Sequence, residues 1–472
     1  MNFTRKEVAT VTGGVFLGSD KIIRGLTIDS RVVQLDDLFV AIRGERDGHD
    51  FIAAAREAGA TAFLVDHQTG VDGEIVVADT EIALRAMGSH ARSRVSGPVV
   101  GVTGSAGKTS TKDLLAGIFR SAGPTTASLK SFNNELGVPL TLANGPDDSQ
   151  FAVIEMGARG VGHIAILCSI AKPTIGVITN IGTAHRELFL TTEMTARAKG
   201  ELLQLLPADG TAVLNFDDPM LELLRSLTGA SVLTFSAAGS SQASVWASDV
   251  ALDETLRPAF ILNSPAGSIG IQLSVRGRHQ VANAVAAASA AIAAGVPLET
   301  IAQGLQTEDV SPWRMEVTTL PSGALVCNDA YNANPTAMFV ALGALAEFGA
   351  QRRIAVLGTM AELGEDAAAM HQHVADEVKR LGINVLLSVN ESRYPGSVEV
   401  NDYASAVDWL VANNAVANDT AILVKGSRSA GLERLVALLH ERTNAASHGN
   451  DDSNKRVIDE PARDSTGQKE SR

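Results

Sequence analysis

The chain has no surplus of positive charge. Lys and Arg number 39 against 53 Asp and Glu in 472 residues, which leaves a net charge of −14. Without a basic stripe there is no counterion-release term to draw the chain to nucleic acid, so general nucleic-acid binding is excluded. An anionic ligand must instead be held by a few local lysines, arginines and helix N-termini. Cysteine is nearly missing too. Cys168 and Cys327 stand alone in apolar surroundings, which rules out a disulfide framework and reads as two buried thiols in a reducing compartment. No apolar run approaches the about 20 residues of a membrane span, and the opening Met-Asn-Phe-Thr-Arg-Lys-Glu-Val lacks the apolar core of a signal peptide. A cytoplasmic protein with no membrane span is expected. Aromatic residues are scarce at 4% while glycine reaches 43 residues, which suits tight turns and closely packed helices.

What is present is a repeated strand–helix alternation. Short apolar runs at Asp37–Ile42 and Thr61–Val65 flank a helical Phe51–Ala58, and a Ser-Gly-Pro break at 96–98 follows. Beyond it, Phe151–Glu155, Thr174–Thr179, Thr211–Asn215 and Ser231–Phe235 read as buried parallel strands, with the Ala-rich helix Val281–Ala294 after them. A second break at Ser311-Pro312 precedes strands at Arg353–Leu357, Val385–Val389 and Thr420–Val424, alternating with helices at Met370–Leu381, Ser405–Asn413 and Gly431–Glu441. The pattern predicts an α/β protein of three domains at 1–96, 97–310 and 311–444, and a polar tail, 445–472, that is expected to be disordered.

One segment carries the chemistry. Residues 100–113, Val-Gly-Val-Thr-Gly-Ser-Ala-Gly-Lys-Thr-Ser-Thr-Lys-Asp, form an apolar strand, a glycine loop and a helix start. Such a loop turns its backbone N–H groups toward a phosphate chain, adds a lysine charge for the β/γ-phosphates, and offers a hydroxyl to Mg²⁺. Here the loop is Gly104, Ser105, Ala106 and Gly107, the lysine is Lys108, and the hydroxyl is Thr109, with Ser110 beside it. Val102 stands where the strict pattern has its first glycine.

Other candidates sit at strand ends, where open α/β sheets bind ligands. Glu155 ends an apolar run and is placed to hold a cation beside Thr109, or else to cap a helix. His185, in Asn-Ile-Gly-Thr-Ala-His, is either a cation ligand or a structural histidine. Lys199 reads as a solvated helix charge, or as an amine that takes up carbon dioxide to become an anionic ligand. Asn328-Asp-Ala-Tyr-Asn-Ala-Asn-Pro335 is either a polar turn or a ligand site. Lys425-Gly-Ser-Arg-Ser-Ala-Gly431 opens a helix, as a second anion-receptive segment does. Two such sites on separate domains predict a cleft that closes on two ligands.

In order and spacing, Thr103–Thr109, Asn133-Asn-Glu-Leu-Gly-Val-Pro139, Glu155-Met-Gly, Asn180–His185, Ala198-Lys-Gly-Glu201 and Gly277-Arg-His-Gln-Val-Ala-Asn283 resemble the Mur ligases of bacterial peptidoglycan synthesis. The likeness covers nearly the whole chain apart from the tail. Asp329–Pro335 and Val424–Ser429 are similar to the branch that adds D-alanyl-D-alanine. The resemblance implies a central P-loop domain with a mostly parallel sheet covered by helices, a smaller α/β N-terminal domain, and a Rossmann-like C-terminal domain. It implies ATP-dependent joining of D-alanyl-D-alanine to a UDP-N-acetylmuramoyl tripeptide through an acyl phosphate, with Mg²⁺.

By the same likeness, Thr109 and Glu155 hold one cation, while Glu155 or His185 with carbamylated Lys199 serves a second. Asn133 and Asn134 face the acyl phosphate. Asn283 faces adenine, Asp329 the ribose and Arg314 the phosphates. Ser30, Arg31, Asp47 and His49 grip the UDP-sugar. Asn332, Asn334, Lys425 and Arg428 face the second substrate. Three residues depart from the family pattern: Ala106 for Asn, Trp313 for Gly and Thr359 for Asp. A monomer is expected. The alternatives are a folylpolyglutamate-type ligase of the same superfamily and a P-loop switch that only hydrolyses nucleotide.

Overall fold

The strand that leads into the glycine loop, Val99–Thr103, lies inside a nine-stranded sheet, between Ile175–Ile178 and Phe151–Glu155. The computed structural model describes residues 1–128, 132–182, 191–307 and 311–454, with side chains as far as 444. From Val99–Thr103 the chain runs to the edge strand Thr125–Ala127, returns through Phe151–Glu155, and then crosses to Ile175–Ile178 on the opposite side. That reversal makes a crevice at the carboxyl ends of the three strands. The register fixes what faces it: Glu155 pairs with Val102, and Ile178 with Thr103.

Parallel pairing continues through Thr211–Asn215, Ser231–Ser236 and Val245–Leu252. The sheet then ends in an antiparallel arm, Val245–Leu252 with Pro258–Ser264 and Gly267–Gln272, that the sequence reading does not contain. Buried and partly exposed positions alternate along Pro258–Ser264, as expected where a sheet has one wet face. Helices Lys108–Ala122 and Gln280–Ala293 bury apolar faces against one side of the sheet. The other side shares a core with the first domain.

The first domain holds a five-stranded sheet, Gly25–Thr27, Asp37–Val40, Ala62–Val65, Glu74–Val76 and Val15–Phe16 in spatial order, parallel except for its last pair. The third domain holds six strands, in the order Glu316–Thr319, Leu325–Asn328, Thr420–Lys425, Arg352–Leu357, Val385–Val389 and Val398–Val400. All pairs there are parallel except the first, and apolar clusters cover both faces, as in a Rossmann-like layer. Asp113, on the helix after the glycine loop, accepts the Ser311 N–H and hydroxyl, each at 2.7 Å, and so ties the third domain's first residue to the second domain. The last helix, Glu433–Asn454, runs on past the expected helix end at Glu441 and into the segment expected to be disordered from 445, where Ala445 and Ala446 favour continuation.

Candidate active site at the mouth of the central sheet

The glycine loop is held by its neighbours rather than by its own chain alone. Asn180 accepts the Ala106 N–H at its Oδ1 (3.0 Å) and donates from Nδ2 to the Ala106 carbonyl (3.1 Å). Its own carbonyl accepts the Ser105 N–H, and the Thr179 hydroxyl donates to the Ala106 carbonyl at 2.6 Å. An alanine at 106 thus keeps every backbone contact. Gly107 has φ 79°, and a Cβ there would strike Asn283 Oδ1. Only glycine meets both demands. Helix Lys108–Ala122 begins there with no side-chain cap, so its first N–H groups point to the crevice.

A cavity of about 530 Å³ opens at this point, walled by the second and third domains. Ser105–Ser110, Asn133, Asn134, Glu155, Lys199, Asn283, Arg314, Asp329, Asn332, Asn334 and Lys425 line it together. Glu155 is buried at its strand end. Its Oε1 accepts from Asn133 Nδ2 at 2.7 Å, while its Oε2 has no hydrogen-bond partner among the described residues. A buried carboxylate oxygen left unpaired is costly, and a divalent cation satisfies it. The Thr109 hydroxyl lines the same cavity, 2.9 Å from an N–H of Arg314. These two oxygens therefore fit a Mg²⁺ site.

Two lysines share the space. Lys108 donates to the Gly104 carbonyl at 2.8 Å; burial pushes its pKa down, and Glu155 pushes it back up. Lys199 is almost fully buried on helix Thr192–Gln204, with no ion pair among the described residues. Burial, with the Lys108 charge adding to it, drives its pKa well below the usual lysine value. Its amine is thereby biased to the neutral, nucleophilic form.

The third-domain wall is a set of interlocked polar groups. Lys425 donates to Asp329 Oδ2 at 2.5 Å and to the Asn332 carbonyl at 2.9 Å, while Asp329 Oδ1 accepts the Met315 N–H. Asn334 caps helix Pro335–Glu347 by accepting the Ala337 N–H, while across the cavity, in the second domain, Asn134 Oδ1 accepts the Gly137 N–H at 2.8 Å. Arg314 stacks on the Tyr331 ring at 4.2 Å. Trp313 has φ 62°, a left-handed backbone that glycine adopts freely, which accounts for the family's usual residue there. Its ring stacks under Arg428 at 4.3 Å.

Not every expected residue joins this cavity. Arg428 lies outside the lining, paired with Glu433 at 3.1 Å. Ser30, Arg31, Asp47 and His49 belong to the first domain and lie apart from the cavity. Arg31 is bidentate to Asp29, which holds that carboxyl down to about 2. His49 bridges Asp47 (2.6 Å) and Asp66 (3.3 Å). His185 lies outside the described residues.

Conversely, Asn180, His279 and Glu362 line the cavity without having been singled out. Asn180 and His279 fall inside segments already noted, beside residues given roles. Burial pushes His279 down to about 4.

Three family models match the chain: the Mur ligase middle domain over residues 102–291, the glutamate ligase domain of Mur ligases over 313–439, and the Mur ligase family catalytic domain over 22–95. The chain is 38% identical, over 83% of its length and 84% of the relative's, to the UDP-N-acetylmuramoyl-tripeptide–D-alanyl-D-alanine ligase of Mycobacterium tuberculosis H37Rv. It superposes on MurF from Acinetobacter baumannii with a TM-score of 0.84 at 29% identity, covering 93% of this chain and 99% of that one. MurF from Thermotoga maritima in complex with ADP gives a TM-score of 0.78 at 27% identity, covering 90% and 98%. The three models follow one another along the chain, and with the 38% identity over most of both chains they show that the chain belongs to the Mur ligase family.

Proposed function

We propose that this enzyme joins D-alanyl-D-alanine to a UDP-N-acetylmuramoyl tripeptide, with ATP cleaved to ADP and phosphate, in the synthesis of peptidoglycan precursor. The observation that carries the proposal is Glu155 Oε2, buried and unpartnered on the cavity that Thr109, Lys108 and Lys199 also line. The chemistry requires two anions, a carboxylate and a triphosphate, to meet. Lys108 and the open N–H groups of helix Lys108–Ala122 take the phosphates. Thr109 and Glu155 would hold a Mg²⁺, which supplies charge compensation between the anions. Asn133, which donates to Glu155, would with Asn134 face the acyl phosphate.

The tripeptide carboxylate attacks the γ-phosphorus, giving an acyl phosphate and ADP. The dipeptide's α-ammonium first gives up one proton; the free amine then attacks the acyl carbon, a second proton leaves the nitrogen as phosphate departs, and the amide keeps one N–H. Orienting carboxylate, phosphate and amine together supplies up to roughly 7–11 kcal/mol, the scale for well-aligned intramolecular reactions. Arg314 and the Asp329–Lys425 pair bring the third domain's share of the wall.

Lys199 in its neutral form would add carbon dioxide, forming an N–C bond and releasing a proton, to give a carbamate for a second cation, with Glu155 or His185 as a further ligand. Asn283 would face adenine. Ser30, Arg31, Asp47 and His49 would take the UDP-sugar, and Asn332, Asn334, Lys425 and Arg428 would face the dipeptide. A monomer is the proposed working unit. Among the described residues no helix is long and apolar enough to cross a membrane, and ATP with a UDP-linked substrate argues for the cytoplasm.

The test is phosphate release from ATP by the purified enzyme with Mg²⁺, the UDP-linked tripeptide and D-alanyl-D-alanine. Release that needs both substrates is expected. Release independent of both would leave only the nucleotide-hydrolysing reading.

A further inference from the structure

Glu362 lines the cavity, yet the reaction as described gives it no task. It sits on the loop after strand Arg352–Leu357, exposed between the buried Met360 and Leu363. Its backbone is left-handed, φ 61°, a conformation that non-glycine residues seldom take. The loop is fastened from behind. The Met360 N–H donates to His371 Nε2 (3.2 Å), and the Ala361 N–H donates to Ser427 Oγ (2.8 Å). The Tyr394 hydroxyl donates to the Gly358 carbonyl (3.0 Å). His371 is fully buried, and its Nδ1 donates to the Ala367 carbonyl at 2.6 Å, so only the neutral ring protonated on Nδ1 satisfies both contacts. Arg393, bidentate to Glu391, reaches the Thr359 hydroxyl at 3.1 Å. An unfavoured backbone angle so firmly held is the pattern seen where a side chain is aimed for use.

The remaining question is what a carboxylate is aimed at. Lys108 and Arg314 line this cavity for anions, and the Glu362 charge is felt at the Lys108 ammonium. A further carboxylate repels a triphosphate and an acyl carboxylate alike. A primary ammonium is the substrate group it attracts, and the dipeptide must present one beside the activated carboxyl. We propose that Glu362 is a specificity residue that receives the α-ammonium of the incoming dipeptide and sets its approach, with His371 as the positioning residue behind it. The proposal rests on the ligase reading above. An amine on the third residue of the tripeptide has the same chemistry, and the experiment separates the two.

The KM for each substrate is measured with the full-length enzyme, ATP and Mg²⁺, along with inhibition by propionyl-D-alanine, which keeps the dipeptide's shape but lacks its amine. Glu362→Gln is expected to raise the dipeptide KM about tenfold or more, the loss of one charge-assisted contact. The propionyl-D-alanine inhibition constant and the KM for the UDP-linked tripeptide should move less than about twofold. Glu362→Gly removes the carboxylate while leaving the left-handed backbone angle unstrained, and it should give the same pattern. Equal weakening of dipeptide and propionyl-D-alanine would overturn the proposal, as would a rise confined to the tripeptide, which would assign the contact to that substrate's amine. Wild-type enzyme that yields no hydroxamate from tripeptide, ATP and hydroxylamine would instead sink the ligase reading itself.

Discussion

Arg314 donates to the hydroxyl of Thr109 at 2.9 Å, although 205 positions of chain separate them. The contact joins the third domain to the phosphate loop, at the hydroxyl assigned to the cation. A guanidinium stacked on Tyr331 and aimed at this loop is suited to follow a phosphate once nucleotide enters. Arg314→Ala should therefore lower kcat/KM for ATP by roughly 10- to 100-fold, the range of a charge-assisted hydrogen bond of about 1.5–3 kcal/mol. Arg314→Lys should recover only part, since an ammonium lacks the planar fork. Steady-state kinetics with ATP varied would check this, and an unchanged value in the alanine variant would contradict it.

Gly107→Ala places a methyl group against Asn283 at a left-handed position. The loop must shift, and the N–H groups that receive phosphate shift with it. Loss of ADP-induced thermal stabilisation is expected, with a stability cost of about 1–3 kcal/mol from backbone strain. A variant that still gains Tm with ADP as the wild type does would refute this account of the loop.

Lys199→Ala should be severely impaired, and short carboxylates such as acetate or propionate should restore part of the activity by standing in for a carbamate. The pKa direction carries a further consequence. Because burial favours the neutral amine, uptake of carbon dioxide needs no alkaline pH, so activity near neutrality should fall in buffer stripped of bicarbonate. Near wild-type turnover of the alanine variant, with no response to carboxylates, would count against the carbamate.

Glu391 supplies an acid-stability test. Burial alone would raise its pKa, but hydrogen bonds from Arg393 outweigh that and hold its carboxyl at about 2, against 4.5 for a free glutamate. The unfolded chain then binds more protons between those values, so stability is present above about 4.5 and drains away as pH falls toward 2. By pH 3 the loss traceable to this group is about 2 kcal/mol. Denaturant melts at pH 6 and pH 3 should show Glu391→Gln with a shallower pH dependence than the wild type. Parallel slopes would rule the coupling out.

The sequence disclosed what local chemistry dictates. Glycine spacing around Lys108 announced the phosphate loop, and an apolar run ending in Glu155 placed a carboxylate at its mouth. Strand and helix positions in the second and third domains followed from apolar runs of the right length, as at Thr211–Asn215 and Val385–Val389. Contacts between distant segments stayed hidden. Asn180 clamps Ala106 from 74 positions away, and His371 holds Met360 through a ring tautomer that no motif encodes. Asn334 looked like a ligand residue, and its side chain proves to cap a helix as well. The antiparallel arm escaped notice because only its middle strand has an apolar run, Ala259–Leu262, while Val245–Leu252 and Gly267–Gln272 on either side mix apolar with small and polar residues.

Leu84 and Met87 of the first domain share one hydrophobic cluster with Val138, Leu167 and Leu202 of the second. Severing the chain near residue 96 would therefore bare oily surface on both fragments. The opening unit is no portable cassette. It depends on its neighbour to stay soluble, and a fragment cut out for study in isolation should aggregate unless the middle segment travels with it.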